Sequence, residues 1–257
     1  MEYETRFNNN KNCDDIFNQF FNVVDKMRNP ITGLYYHAYD SSREMFWCDK
    51  VTGLSQNYWL RALGWYTMAL LDTLDKADPS MGEPYEKLKQ VFVDLMDSML
   101  KYQDESGMWY QVVNLGGMDR NYLETSGSSI MAYALLKGVR LGFLPESYIA
   151  YGKKAFNGIC EKYLTTDADG SLHLDGICLV AGLGGKQTYK IGNATYIVSS
   201  KFMPLNSQSN FKNKFEKLLT NEFAHLMDDE DIDTIKAENV CSTVGKEDKN
   251  AVEKSSA

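Results

Sequence analysis

No apolar run in this chain approaches the roughly 20 residues that a membrane-spanning helix needs, and the opening stretch, Met1-Glu2-Tyr3-Glu4-Thr5-Arg6, holds nothing of the signal-peptide kind. A membrane role is not expected. Basic charge is also short: 27 Lys and Arg stand against 35 Asp and Glu, a net charge of −8. That balance argues against nucleic acid or an anionic membrane as a partner, although one buried Arg can still govern a pocket for an anionic ligand. Cysteine is scarce and scattered. Cys13, Cys48, Cys160, Cys178 and Cys241 are odd in number and form no CxxC pair. They read as reduced thiols in a cytoplasmic protein, not as a disulfide framework or a zinc site. Of three histidines, His173 and His225 have no partners at metal or triad spacing. No metal site is read from these residues.

Apolar material is plentiful by contrast. A hydrophobic share of 44% and an aromatic share of 12% suffice for a sizeable core. Apolar spacing predicts five helices, over residues 14–26, 56–76, 84–102, 124–141 and 146–163. Asn29-Pro30 stops the first, and Pro84 suits the first turn of the third. The second and fourth are rich in small and apolar residues, such as Ala62, Gly64 and Ala69, then Gly127, Ser128, Ala132 and Gly138. The other three carry charge along one face. A helix apolar nearly all round is buried, and one with a charged stripe faces water, so inner helices should alternate with outer ones.

A weak internal repeat agrees. Thr32-Gly33-Leu34-Tyr35-Tyr36-His37, Ser106-Gly107-Met108-Trp109-Tyr110-Gln111 and Asp169-Gly170-Ser171-Leu172-His173-Leu174 each follow an outer helix. Each unit then holds an inner and an outer helix joined by a turn that needs Gly. Helical hairpins repeated at this length suggest a toroid or an α-solenoid. After Gln187 the style changes: residues 189–202 read as short strands or loop, residues 211–227 as an amphipathic helix, and the polar tail from 236 as disordered.

Four side chains invite a functional reading. His37 by itself is as readily a structural hydrogen-bonding group as a ligand contact. Arg61 lies near the start of an inner helix, and a buried Arg needs an anionic partner: Asp40 or Asp49 within the chain, or a bound ligand. Trp59 and Trp65 are core residues by default. Six apart, they are offset by about 240° on a helix and cannot share a face. Glu124, opening the fourth helix, reads as a carboxylate favoured by the helix dipole, and Trp109 and Tyr110 read as structural.

Taken together, Gly33-Leu34-Tyr35-Tyr36-His37-Ala38-Tyr39-Asp40, Thr52-Gly53-Leu54-Ser55 and Tyr58-Trp59-Leu60-Arg61-Ala62-Leu63-Gly64-Trp65 resemble glycoside hydrolase family 105. That is the family of unsaturated rhamnogalacturonyl hydrolases, related to the family 88 unsaturated glucuronyl hydrolases. Tyr102-Gln103-Asp104, Gly107 to Gln111 and Tyr122 to Ser128 recur in the order of that family, so the likeness covers about residues 13–187. It implies an all-α fold, a partial (α/α)6 toroid with about half of the helical hairpins and a divergent C-terminal segment. Residues 1–187 would form the partial toroid, 188–235 the divergent segment and 236–257 the tail.

The resemblance implies an activity as well. Oligosaccharides made by polysaccharide lyases end in a 4,5-unsaturated uronic acid, and these hydrolases release it with no metal or organic cofactor. A carboxylic acid protonates the vinyl ether, water adds at the adjacent carbon, and the hemiketal opens. His37, Trp59, Arg61 and Trp65 are implied as substrate-binding residues, Trp59 being the better sugar-stacking surface. The proton-donating Asp is implied at a position ahead of Met1, so the catalytic residue is unassigned; Asp14, Asp15 and Asp25 belong to an outer helix and do not replace it. An unsaturated oligosaccharide is the expected partner. An open toroid edge would also expose an apolar face, to be covered by self-association or a complementing fragment. The rival reading is an inactive carbohydrate-binding or helical-repeat scaffold fragment.

Overall fold

A computed structural model describes residues 1–119 and 121–178 together with the two strands Thr188–Ile191 and Ala194–Ile197. The helix expected over 211–227, the acidic run after it, the tail from 236, and the residues His225 and Cys241 lie outside the described residues. The chain divides into two units. The first comprises Met1–Asp167 and Leu172–Asn206; the second comprises Ala168–Ser171 and Ser207–Ala257. The first unit holds every helix among the described residues.

Six α-helices are present among the described residues: α1 (Glu2–Phe7), α2 (Cys13–Met27), α3 (Leu60–Lys76), α4 (Glu83–Leu100), α5 (Thr125–Arg140) and α6 (Tyr148–Tyr163). Two short antiparallel hairpins come after them, β1 (Leu164–Thr166) with β2 (Leu172–Leu174), and β3 (Thr188–Ile191) with β4 (Ala194–Ile197). α3 and α5 pack on each other, α4 lies on α3, α2 on α4, and α6 on α5. α3 and α5 thus pair, and each is lined by one charged helix, α4 and α6, the alternation that composition predicts.

The core follows from the apolar stripes. Leu60, Leu63, Leu70, Leu71 and Leu74 of α3 meet Leu88, Phe92, Leu95 and Met96 of α4 and Met131, Ala134 and Leu135 of α5, all at 2% exposure or less. Each Leu, Phe or Met among them contributes roughly 1.5–3 kcal/mol when fully buried. Small residues set how near the inner helices approach. A Cβ on Gly127 would fall 2.4 Å from the Leu60 side chain, so α5 could not close on α3 with alanine there. At the far end of the pair, the buried Lys137 donates to Asp72 at 2.8 Å and reaches Asp75 at 3.1 Å. Burial alone would lower its pKa; the bonds to Asp72, Tyr133 and Asp75 outweigh that and raise it.

The recurring glycines each sit at positive φ, +74° at Gly33, +88° at Gly107 and +82° at Gly170. Gly107 is the most constrained. Its N–H donates to Asp104, Asp104 N–H closes back on Met108, and a Cβ at Gly107 would lie 2.3 Å from the Lys154 carbonyl oxygen. Left-handed backbone and a backbone clash act together, so Gly107→Ala should lower stability by about 2–4 kcal/mol. A urea midpoint that falls with an unchanged slope would record this; an unchanged midpoint would refute it.

The helix starts correct one expectation. Apolar spacing predicts a second helix from residue 56, but α3 begins at Leu60, and Trp59 is extended at φ −89° and ψ 124°. The reason is tertiary. Trp59 pairs with Val112, Val113 N–H donates to Tyr58, and Leu60 N–H donates to Gln111. Trp59 is thus the residue before the helix, and an angle on a helical wheel does not relate it to Trp65. α1 and the β1–β2 hairpin add to the expected elements, both being too short to show a period.

Candidate functional site

Four extended stretches lie side by side where the chain enters the inner helices. Residues 58–60, ahead of α3, bond to 111–113. Gln111 N–H donates to Tyr122 at 2.8 Å and Glu124 N–H to Trp109 at 2.9 Å, which ties in the entry to α5. Thr125 N–H then donates to Gly176 at 3.0 Å, fastening residues 175–178 alongside. Both helix N-termini therefore open onto one rim; that of α5 is capped by the Glu124 carboxylate, while that of α3 has no side-chain cap and favours negative charge.

His37 and Trp59 meet on this rim, and Arg61 lies in the first turn of the helix that follows Trp59. The His37 ring stacks on the Trp59 indole with centroids 4.2 Å apart and planes 10° from parallel. Its Nδ1 lies 2.9 Å from Ser55 Oγ and 3.2 Å from the Asn57 carbonyl. Its Nε2 is buried and has no hydrogen-bond partner among the described residues. Burial lowers the His37 pKa from its ordinary value, against a smaller opposing effect of the Asn57 carbonyl, and so favours the neutral ring. Asn57 is itself held, its Oδ1 accepting from Asn114 Nδ2 at 3.1 Å.

Arg61 is the second residue of α3. Its guanidinium donates to the carbonyl of Cys178, 117 residues away in sequence. Among the described residues it forms no ion pair. The two intramolecular alternatives fail for a visible reason. Asp40 accepts from the N–H groups of Ser42, Glu44 and Met45 and from the Ser42 hydroxyl, at 2.8 to 3.1 Å. These bonds, led by that from Met45, bring its pKa down to about 2. Asp49 is likewise spent on Val51 and Thr52. Neither carboxylate is left for Arg61.

Cys178 joins Arg61 to a second group. Its N–H donates to Glu124 at 3.0 Å, and its thiol lies 3.7 Å from Gln111 Nε2. Glu124 is wholly buried and caps α5, accepting from Ser126 N–H at 3.2 Å, the Ser126 hydroxyl at 2.6 Å and Gly127 N–H at 2.6 Å. This agrees with its reading as a helix-terminus carboxylate. Tyr122 stands in the same group. Burial is the largest influence raising its pKa, Cys178 adds to it, and Arg61 opposes. Gln111, at 4% exposure, has an Oε1 without a partner among the described residues.

Trp65 stands apart. It is on α3 but 61% exposed, with no ring contact to His37 or Trp59 among the described residues. Trp109 is a core residue, its indole donating to the Met99 carbonyl at 2.8 Å. A shallow depression of about 370 Å³, lined by Tyr102, Asp104, Tyr110 and Asn114 among others, shares Asn114 with this network but contains none of the three rim residues. His173 pairs with Asp167 at 2.6 Å on the exposed β1–β2 hairpin.

Sequence reasoning missed Ser55, Asn57, Gln111, Tyr122 and Cys178 as members of the site. Ser55, Gln111 and Tyr122 lie inside recognised motifs, which was the available signal. Cys178 carries none, since it comes to Arg61 only through the fold.

The family model of Glycosyl Hydrolase Family 88 matches residues 1–201. Protein Atu3128 of Agrobacterium fabrum is 37% identical over 174 residues, covering 65% of this chain and 73% of the relative. The unsaturated rhamnogalacturonyl hydrolase YesR of Bacillus subtilis is 30% identical over 151 residues, covering 58% of this chain and 38% of that protein. Among solved structures, a glycoside hydrolase from family 105 of C. acetobutylicum superposes with a TM-score of 0.68 at 44% identity, over 72% of this chain and 51% of that one. This chain thus spans about half the length of that structure.

Proposed function

Because the chain belongs to Glycosyl Hydrolase Family 88, we propose that its His37–Trp59–Arg61 rim binds the 4,5-unsaturated uronyl end of lyase-generated oligosaccharides. One observation carries the reading. Arg61 opens an apolar inner helix, on a rim where two helix N-termini meet, and among the described residues its only bond is to a neutral carbonyl. A uronate carboxylate would supply the charged partner that this guanidinium lacks among the described residues, in the bidentate geometry that suits it.

The other two residues complete the subsite. One face of Trp59 is taken by His37, so a sugar ring would stack on the other. His37 would take a hydroxyl or water through Nε2. The reaction served is hydration of the vinyl ether: an acid protonates one carbon of the double bond, water adds at the adjacent carbon, and the hemiketal opens to free the neighbouring sugar. These three residues hold the substrate for that step, and the protonating acid is assigned to no residue of this chain. The sugar linked to the uronate is read as rhamnose, on the likeness to YesR. A cytoplasmic setting is supported by the free thiols Cys13, Cys48, Cys160 and Cys178. Among the described residues no helix is long and apolar enough to cross a membrane.

Incubation with an unsaturated rhamnogalacturonan disaccharide tests this reading. We expect the sugar to raise Tm by several degrees, because a ligand that binds only the folded state stabilises it. Decay of the vinyl-ether absorbance would add turnover to binding. A protein that neither decays the absorbance nor gains stability would be a helical-repeat scaffold instead.

A further inference from the structure

His37 has one ring nitrogen engaged and one buried without a partner among the described residues. Which of them carries the proton decides what this part of the rim can recognise. The Asn57 carbonyl, 3.2 Å from Nδ1, can only accept. A lone pair on Nδ1 would face the lone pairs of that oxygen, and Asn57, at 5% exposure, would lose the N–H that the ring offers its carbonyl. A buried carbonyl left without a donor is disfavoured. Ser55, at 2.9 Å, is compatible with either arrangement, because a hydroxyl both donates and accepts. Its Oγ also accepts the Ala38 N–H at 3.2 Å, and its own proton is free to rotate away from Nδ1. The Trp59 stack fixes the ring plane, and a half-turn within it would put Cδ2 where Nδ1 now meets Ser55 and Asn57, so the orientation shown is the one that keeps both contacts. The groups packed on the ring, Ser55, Asn57 and Trp59, carry no charge that would draw a second proton.

We infer that His37 is held as the Nδ1–H tautomer, so that Nε2 is a hydrogen-bond acceptor reserved for an O–H donor, a sugar hydroxyl or a water molecule. The site is then divided by chemistry. His37 accepts from hydroxyls and rejects anionic oxygens, which meet its lone pair, while Arg61 donates and takes the carboxylate. A substrate would be oriented with its acid group toward α3 and a hydroxyl toward the 37–57 loop. The identity of the O–H donor rests on the sugar-binding reading; the tautomer does not.

Nitrogen NMR reads the tautomer without any ligand. The full chain, labelled with ¹⁵N-histidine, has three histidines, and the variants His173→Gln and His225→Gln, neither part of the sequence motif around His37, assign His37 by elimination. Long-range ¹H–¹⁵N spectra near neutral pH should show a protonated, pyrrole-type Nδ1 and an unprotonated, pyridine-type Nε2 at His37. Ser55→Ala should leave that pattern in place, because the carbonyl sets it. A pyrrole-type Nε2, an averaged pair of signals, or a tautomer that reverses in Ser55→Ala would overturn the inference. Adding the unsaturated disaccharide should then shift Nε2 and leave Nδ1 unmoved. A correct tautomer with no sugar-induced shift at Nε2 would count against the sugar reading and its O–H donor, and leave the tautomer standing.

Discussion

Replacing Glu124 with alanine is expected to destabilise the fold by about 3–5 kcal/mol. The carboxylate is fully buried and accepts four bonds: two from the first turn of α5, one from the Ser126 hydroxyl and one from the Cys178 amide. Alanine leaves those donors facing a cavity. Loss of a helix cap alone costs about 1 kcal/mol; buried N–H groups left unsatisfied add about 1–3 kcal/mol each, and partial relaxation returns some of it. Glutamine should cost roughly half as much, since its carbonyl still accepts while its NH2 opposes the remaining donors. Urea unfolding would give both values. The same variant should also free residues 175–178, because the Cys178 amide is tied to Glu124. Hydrogen exchange at that amide should rise sharply in Glu124→Ala, and exchange no faster than in the parent would show the tie to be unimportant.

Arg61→Met should weaken binding of an unsaturated uronyl disaccharide by about 10–100-fold, the equivalent of the roughly 1.5–3 kcal/mol that charge-assisted hydrogen bonds provide. Methionine keeps the apolar stem that packs along α3 and removes only the charge and donors. Stability should change little, by about 1 kcal/mol, since the guanidinium gives up one bond to the Cys178 carbonyl. Calorimetric titration separates the two effects. The methyl ester of the same sugar should bind the parent protein about as weakly as the free acid binds Arg61→Met. Equal affinity of acid and ester for the parent would remove Arg61 as the carboxylate's partner.

The inner and outer helices were legible because burial writes itself into apolar spacing. Leu63, Leu70 and Leu74 sit in the core of α3 as their period predicts, and the glycines of the repeated turn all have positive φ. Glu124 was legible for a local reason, standing just ahead of an apolar run. What could not be read are contacts made by distant strands of chain. The start of α3 depends on Trp59 pairing with Val112, and the partner of Arg61 is the backbone of Cys178. A carbonyl has no side-chain signature, so reasoning from residue types looks for a carboxylate and offers Asp40 and Asp49. Both instead close their own loops, a use that the Ser42 and Thr52 hydroxyls beside them favour. The loop that holds His37 is legible from its motif, but the stacking on Trp59 and the dependence on Asn57 require the fold.

A crystal structure of the chain with an unsaturated uronyl disaccharide tests the rim most directly. The carboxylate should lie on Arg61 in place of the Cys178 carbonyl, with the sugar ring on Trp59 and a hydroxyl at His37 Nε2. A sugar bound with its acid group away from Arg61, or an Arg61 that keeps its bond to Cys178 while the sugar sits elsewhere, would contradict the account.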